Sequence, residues 1–251
     1  MSRTIGRTGR VLVAGVLLAV AAVSLPADPG TILEDRFDRS YSAARIGRLL
    51  PALFQDVEPP ESEFRVDVYL VDFETTDLDG TSTPARLQLF VPRLASPAEV
   101  PLYIFAPGST GLVDACRPSR EHVIGVDWGL YRTHALAHAT RGAIVAIPDY
   151  MNFQVEGEIQ PYFISVAEGR VVLDAVRAAR EALARGDHSA RAAPGTFLAG
   201  YSQGGHAVFA AADLAGRYAP EIDIEGIIGY GPSTNVRNLF REWTVAAPLV
   251  T

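Results

Sequence analysis

Hydrophobic and polar positions along the chain fall into short blocks of two periodicities. Over residues 64–73 the apolar Val66, Val68 and Leu70 alternate with polar neighbours, and over 85–91 Leu87 and Leu89 do the same. A period of two places alternate side chains on one face, so each stretch predicts a half-buried strand. Asp77-Leu-Asp-Gly80 between them predicts the turn of an antiparallel hairpin. Compact apolar runs at 101–106, 143–147 and 224–230, with Phe197-Leu-Ala199, predict buried strands. Helical periods lie between them. Over 165–184, Val172, Ala175, Val176 and Ala179 form one stripe, with Arg170, Arg177, Arg180 and Glu181 on other faces. Residues 128–140 and 207–217 predict shorter helices, the second with Val208, Phe209, Ala212 and Ala215 on one side. Residues 28–63 carry a weak helical pattern (Ile32, Leu33, Phe37, then Ile46, Leu49, Leu50) interrupted at Pro51 and Pro59-Pro60, and read as an N-terminal helical excursion. Strands alternating with helices predict an α/β fold: a mostly parallel sheet flanked by helices and led by a hairpin.

The first 27 residues follow another logic. Arg3, Arg7 and Arg10 precede an apolar run over 11–23, and small residues follow, with candidate cleavage points after Ala21, Ala22 or Ala27. The run is shorter than the ~20 residues of a comfortable membrane span. Residues 1–27 therefore read as a signal peptide and the protein as secreted or extracytoplasmic, with an uncleaved N-terminal anchor as the alternative.

At 251 residues and 48% hydrophobic, the chain can bury a large core. A net charge of −7 without a basic run gives no reason to expect nucleic acid. All 22 basic residues are arginine, which excludes lysine bases and Schiff bases. The single cysteine, Cys116, excludes an intrachain disulfide and a cysteine-built metal site.

Candidate chemistry centres on Gly200-Tyr201-Ser202-Gln203-Gly204, a G-x-S-x-G pattern between a predicted strand and a predicted helix. That context predicts a sharp turn carrying Ser202 as nucleophile. The helix N-terminus behind it offers unpaired N–H groups, so the Gln203 N–H is placed to hold an oxyanion. A second donor is expected from the loop after the 101–106 strand, Pro107-Gly108-Ser109-Thr110-Gly111, with the Ser109 N–H preferred and Thr110 second.

The ordered set PGSTG, IPDY, VRAAR, GYSQGG and GYGP, running from about residue 64 to the end, resembles the secretory lipases. These lipase-A-like enzymes of the α/β-hydrolase superfamily hydrolyse triacylglycerols and simpler esters. The resemblance implies an α/β-hydrolase core over 64–234, with Ser202 as nucleophile and Gln203 in the oxyanion hole. It places Asp149 and Tyr150 beside the site, and Tyr150, Tyr201 and Asp149 are candidate substrate-pocket residues, with a structural role favoured for Asp149. It implies no cofactor and no metal, an ester or lipid substrate, and transient contact with a lipid surface. No protein partner is inferred.

The superfamily's chain order places an acid and a histidine after the serine. Only His206 follows Ser202, one turn along the same helix, and it reads as a helix residue. His122, His134, His138 and His188 precede the serine. His134 and His138, at i and i+4, have metal-binding spacing but no acidic partner, and read as a helix face. No triad acid or histidine is identifiable. Six strands counted from residue 64, against eight in the family, suggest a C-terminally truncated member, with 235–251 as the start of a cap segment and an apolar sheet edge prone to aggregation. The expected activity is a secreted serine ester hydrolase. The alternatives are a serine peptidase or acyltransferase on the same fold, or a catalytically incomplete hydrolase-fold protein.

Overall fold

The computed structural model describes residues 28–121 and 129–246. Residues 1–27, read above as a signal peptide, and His122, Trp128 and the last five residues lie outside the described residues.

Elements follow in the order β1 (Ile32–Tyr41), α1 (Ala43–Leu49), β2 (Val66–Thr76), β3 (Ser82–Pro92), β4 (Ala98–Ala106), α2 (Tyr131–Ala139), β5 (Ile144–Pro148), α3 (Ser165–Arg185), β6 (Ala190–Tyr201), α4 (Gln203–Tyr218), β7 (Ile224–Tyr230) and α5 (Val236–Ala246). The seven strands form one sheet in the order β1-β2-β3-β5-β4-β6-β7. β1, β2, β3 and β5 pair antiparallel, whereas β5, β4, β6 and β7 are mutually parallel. The predicted hairpin is β2–β3, in register from Val66↔Pro92 to Thr76↔Ser82. Gly80 takes φ 89° in its turn, a conformation only glycine adopts freely.

The six strands expected from residue 64 onward are β2 to β7. The helical reading of 28–63 is corrected: Ile32–Tyr41 is a strand, and only Ala43–Leu49 is α-helical there. β1 is an edge strand with two register shifts against β2, between Ile32 and Glu34 and between Phe37 and Arg39. Bulges break the alternation by which a strand is recognised. Only Ile32 and Tyr41 of its ten residues are buried, and its charged side chains suit an exposed edge.

Pleating splits the sheet's side chains between two cores. On β4, Leu102, Ile104 and Ala106 join the core under α3 and α4, with Val172, Val176, Val208 and Ala211. Phe105, between them, joins the core under α1 and α2, with Leu136 and Ile147. α3 and α4 cross closely, since a β-carbon on Gly169 would stand 2.9 Å from the Ala210 carbonyl carbon. α3 is also tied to the hairpin: the buried Asp174 carboxylate accepts from the Thr75 hydroxyl at 2.6 Å and Tyr218 at 2.8 Å, and pairs with Arg177 at 2.7 Å. This packing fixes the C-terminal ends of β4, β5, β6 and β7, where ligands bind in open parallel sheets.

Candidate active site

β6 ends at Tyr201, α4 begins at Gln203, and Ser202 makes the whole turn between them at φ 52°, ψ −111°. A non-glycine residue there costs on the order of 1–3 kcal/mol and persists only where its surroundings hold it. Here the Ser202 N–H donates to the Tyr230 carbonyl at 2.9 Å, and the Ser202 carbonyl accepts from His206 at 3.2 Å. The flanking glycines are required by backbone contact. A β-carbon on Gly200 would lie 2.1 Å from the Gly204 oxygen, and one on Gly204 would lie 1.9 Å from the Ala106 oxygen. No side chain caps α4, so its first amides face the turn.

The loop after β4 lies against this turn. Gly108 is wedged between Tyr131 and Tyr201, whose atoms would stand 2.5 Å and 2.7 Å from an added β-carbon. The Tyr150 hydroxyl donates to the Pro107 carbonyl at 2.5 Å, and Ser109 Oγ meets the Tyr162 hydroxyl at 2.6 Å. Gln160 Nε2 donates to the Gly111 carbonyl, and the Gln160 N–H donates to Leu112 at 3.0 Å. Thr110 Oγ1 is buried without a partner. Gly111 takes φ 138°, with Cys116 packed against it.

Gln203 is fully buried, and its side chain turns inward. Nε2 donates to Gln160 Oε1 at 2.9 Å and to Glu168 Oε1 at 2.7 Å. Glu168 also accepts from the Phe163 N–H at 2.9 Å and meets His206 Nδ1 at 2.5 Å. The other His206 nitrogen, Nε2, meets Ser165 Oγ at 3.1 Å. Both ring nitrogens thus have partners other than Ser202, and among the described residues no imidazole or carboxylate hydrogen-bonds to Ser202 Oγ.

Asp149 is fully buried. Its carboxylate accepts from the Ser119 N–H at 2.7 Å, the Ser119 hydroxyl at 2.6 Å and Gln154 Nε2 at 2.8 Å. Burial pushes it up to about 6, partly offset by the Ser119 bonds and by Arg86 and Arg117. The structure thus brings Ser202, Gln203, Ser109, Thr110, Tyr150 and Tyr201 to one end of the sheet, and ties Asp149 to Ser119 and Gln154.

The His134 and His138 rings pack at 4.7 Å, with Tyr103 Oη 3.0 Å from His134 Nε2. Burial, with His138 beside it, pushes His134 down to about 3. Among the described residues no cluster of three metal-ligating side chains exists. These histidines, with Leu53, Phe54, Phe105, Tyr131, Tyr201 and Tyr230, line a largely apolar hollow of about 480 Å³ on the Tyr201 side of the turn. On the other side α5 leans on the site: Phe240 meets Phe163 at 6.2 Å and Tyr162 at 6.4 Å.

Sequence reasoning missed Glu168, Gln160 and Tyr162. A signal for Glu168 was present: it stands at i−4 from Val172 and i−7 from Ala175, a carboxylate on the apolar stripe of α3. Gln160 and Tyr162 sit in an irregular segment with no periodicity to mark them.

No curated protein matches the chain. Among solved structures it is similar to the rice cell wall degrading esterase LipA from Xanthomonas oryzae (22% identity, TM-score 0.63, covering 80% of this chain and 50% of that one). It is similar also to Candida antarctica lipase A in its closed state (21%, 0.61, 85% and 45%). A putative hydrolase from Legionella pneumophila superposes too (17%, 0.67, 80% and 52%). The chain thus spans about half the length of these structures, which share its fold. The model of the secretory lipase family matches residues 123–245. That region, which holds Ser202, Gln203 and Glu168, is similar to the secretory lipase family, and the chain shares the fold of the esterase and lipase structures.

Proposed function

We propose that the protein is a secreted serine ester hydrolase of the lipase or carboxylesterase type, with Ser202 as its nucleophile. The observation that carries the reading is the strained Ser202 turn, held between Tyr230 and the uncapped start of α4. Ser202 Oγ bonds to the ester carbonyl carbon, and its proton passes to a base not among the described residues in contact with it. The Gln203 N–H, with the Ser109 or Thr110 N–H, receives the oxyanion. The intermediate collapses, the alcohol leaves with a proton, and water hydrolyses the acyl-enzyme. No step calls for a cofactor or metal.

The hollow beside Tyr201 supports an ester over a peptide with a charged terminus. None of the described residues that line it is acidic or arginine, and burial keeps His134 neutral at ordinary pH. Export rests on residues 1–27 and on the family matched. The exposed Phe240 and Trp243 of α5 support a cap segment that meets lipid surfaces transiently.

The test is p-nitrophenyl ester hydrolysis together with fluorophosphonate labelling. With no base hydrogen-bonded to Ser202, turnover by this chain is expected within the ~10³–10⁴-fold over water that oxyanion binding and substrate positioning support alone. Label is expected on Ser202 and should be lost in Ser202→Ala, whereas the residual turnover persists there because it comes from the oxyanion hole and substrate positioning. Labelling unchanged in Ser202→Ala would overturn the reading.

A further inference from the structure

Two loops must be held at a fixed separation if the N–H of Gln203 and that of Ser109 or Thr110 are to meet one oxygen. They belong to different parts of the chain, one after β6 and one after β4. One continuous set of side-chain hydrogen bonds joins them. Gln160 donates through Nε2 to Gly111 in the β4 loop, and its Oε1 accepts from Gln203 Nε2 at 2.9 Å. The same Gln203 nitrogen donates to Glu168 Oε1 at 2.7 Å.

Glu168 is 2% exposed and anchors this set. It receives N–H groups from three directions: Phe163 in the segment bearing Gln160 and Tyr162, Gln203 at the start of α4, and His206 one turn further on. A carboxylate is acceptor-only, so it dictates which end of the Gln203 amide faces it. Gln203 Oε1 is buried with no partner. The amide is therefore oriented by its nitrogen alone, and that nitrogen is what reaches Gln160. Among the described residues Glu168 makes no hydrogen bond to the β4 loop, yet it sets the geometry of the group that does.

We propose that Glu168 is a positioning residue for the oxyanion hole, acting through Gln203 and Gln160 to hold the 107–111 loop against the Ser202 turn. The inference rests on the reading of Gln203 and Ser109 or Thr110 as oxyanion donors for its kinetic consequence. Its structural consequence, coupling between Glu168 and a loop to which it is not hydrogen-bonded, stands apart from activity.

The experiment compares wild type with Glu168→Met, Glu168→Gln and Gln160→Leu by hydrogen–deuterium exchange and ester kinetics. Glu168→Met removes the acceptor at similar size. Glu168→Gln can keep an oxygen facing Gln203 and Phe163 while its NH₂ donates to His206 Nδ1, in the tautomer that carries the ring hydrogen on Nε2. Gln160→Leu cuts the chain beyond Glu168. Peptides spanning 106–112 should exchange roughly tenfold faster in Glu168→Met and Gln160→Leu, and near the wild-type rate in Glu168→Gln. For ester hydrolysis, kcat should fall roughly 10–100-fold in the first two with KM nearly unchanged, as for a displaced oxyanion donor. Wild-type exchange of 106–112 in Glu168→Met, or equal effects of Met and Gln at 168, would overturn the proposal. If Glu168→Met does not fold, Gln160→Leu decides: unchanged exchange of 106–112 there overturns it. Fluorophosphonate label that persists in Ser202→Ala would instead overturn the ester-hydrolase reading, and the exchange arm would still decide the coupling.

Discussion

Gly204 passes so close to Ala106 that a β-carbon on it would stand 1.9 Å from the Ala106 carbonyl oxygen. The obstacle is backbone on the central strand β4, so no side chain can swing aside. Gly204→Ala should therefore displace the start of α4 and cost at least about 3 kcal/mol, the upper range for overpacking. Gly216, in the same helix, has nothing within 4 Å of its β-carbon position. Gly216→Ala should stabilise by roughly 0.5–1 kcal/mol through helix propensity alone. Denaturant unfolding of the two variants checks the contrast, and Ser202 labelling should be lost only in the first.

Ser202 at φ 52°, ψ −111° holds a conformation that glycine tolerates better than any residue with a β-carbon. Ser202→Gly should remove the nucleophile and also stabilise the fold by about 1 kcal/mol, which raises Tm by ~2–4 °C in a chain of this size. Differential scanning calorimetry is the measurement. A lower Tm in Ser202→Gly would mean that the turn stores no strain.

Much of this site was legible because its chemistry is local. Ser202, its glycines and its helix lie within a few residues, and Gly200 and Gly204 have one physical reason, close backbone approach, which the spacing already carries. The loop at 107–111 was legible for a similar reason, since it follows a recognisable strand. What escaped were contacts made across the fold. Glu168 and Gln203 are 35 residues apart in sequence and 2.7 Å apart in space. β1 escaped because its two bulges erase alternation, and Ile32, Leu33 and Phe37 then mimic a helical stripe.

β7 is hydrogen-bonded only to β6 among the described residues, and the face it shares with β6 carries Phe197, Tyr201, Ile228 and Tyr230, with Ile228 52% exposed. A contiguous apolar face beside a free strand edge favours self-association. Ile228→Lys should reduce light scattering and shift sedimentation toward monomer without lowering Tm. A wild-type protein that is monodisperse at the same concentration would contradict this.

His134 couples stability to acid. Its folded value, about 3, lies below the ordinary 6.5 because burial disfavours the charged ring, and His138 adds to the effect. The unfolded chain therefore binds a proton that the folded one refuses. This contribution is complete above pH ~6.5 and is lost as pH falls toward 3. Between pH 7 and 5 the loss is about 2 kcal/mol, at ~1.4 kcal/mol per unit below the unfolded value. Urea unfolding at the two pH values should show this slope in wild type and a flatter one in His134→Phe. Equal slopes would mean the ring takes its proton without unfolding.

Asp149 acts in the opposite sense. Burial raises its folded value to about 6, against about 3.9 for a free aspartate, so the folded state holds a proton longer than the unfolded one. The Ser119 hydroxyl, 2.6 Å away, can turn from donor to acceptor, so the protonated carboxyl keeps this contact. Stability should then fall as pH rises from about 4 to about 6 and stay level above, by up to ~3 kcal/mol at ~1.4 kcal/mol per unit. Asp149→Asn should remove this slope. The variant minus wild-type difference in unfolding free energy, followed from pH 4 to 7, isolates it from the His134 term. Tyr150 follows Asp149 directly and holds the Pro107 carbonyl at 2.5 Å. Exchange of the 106–112 peptide should therefore slow in wild type as pH drops from 7 to 5, after correction for the intrinsic rate, and should not in Asp149→Asn. A flat difference curve with unchanged loop exchange would show that Asp149 stays ionised throughout, held by its donors from Ser119 and Gln154.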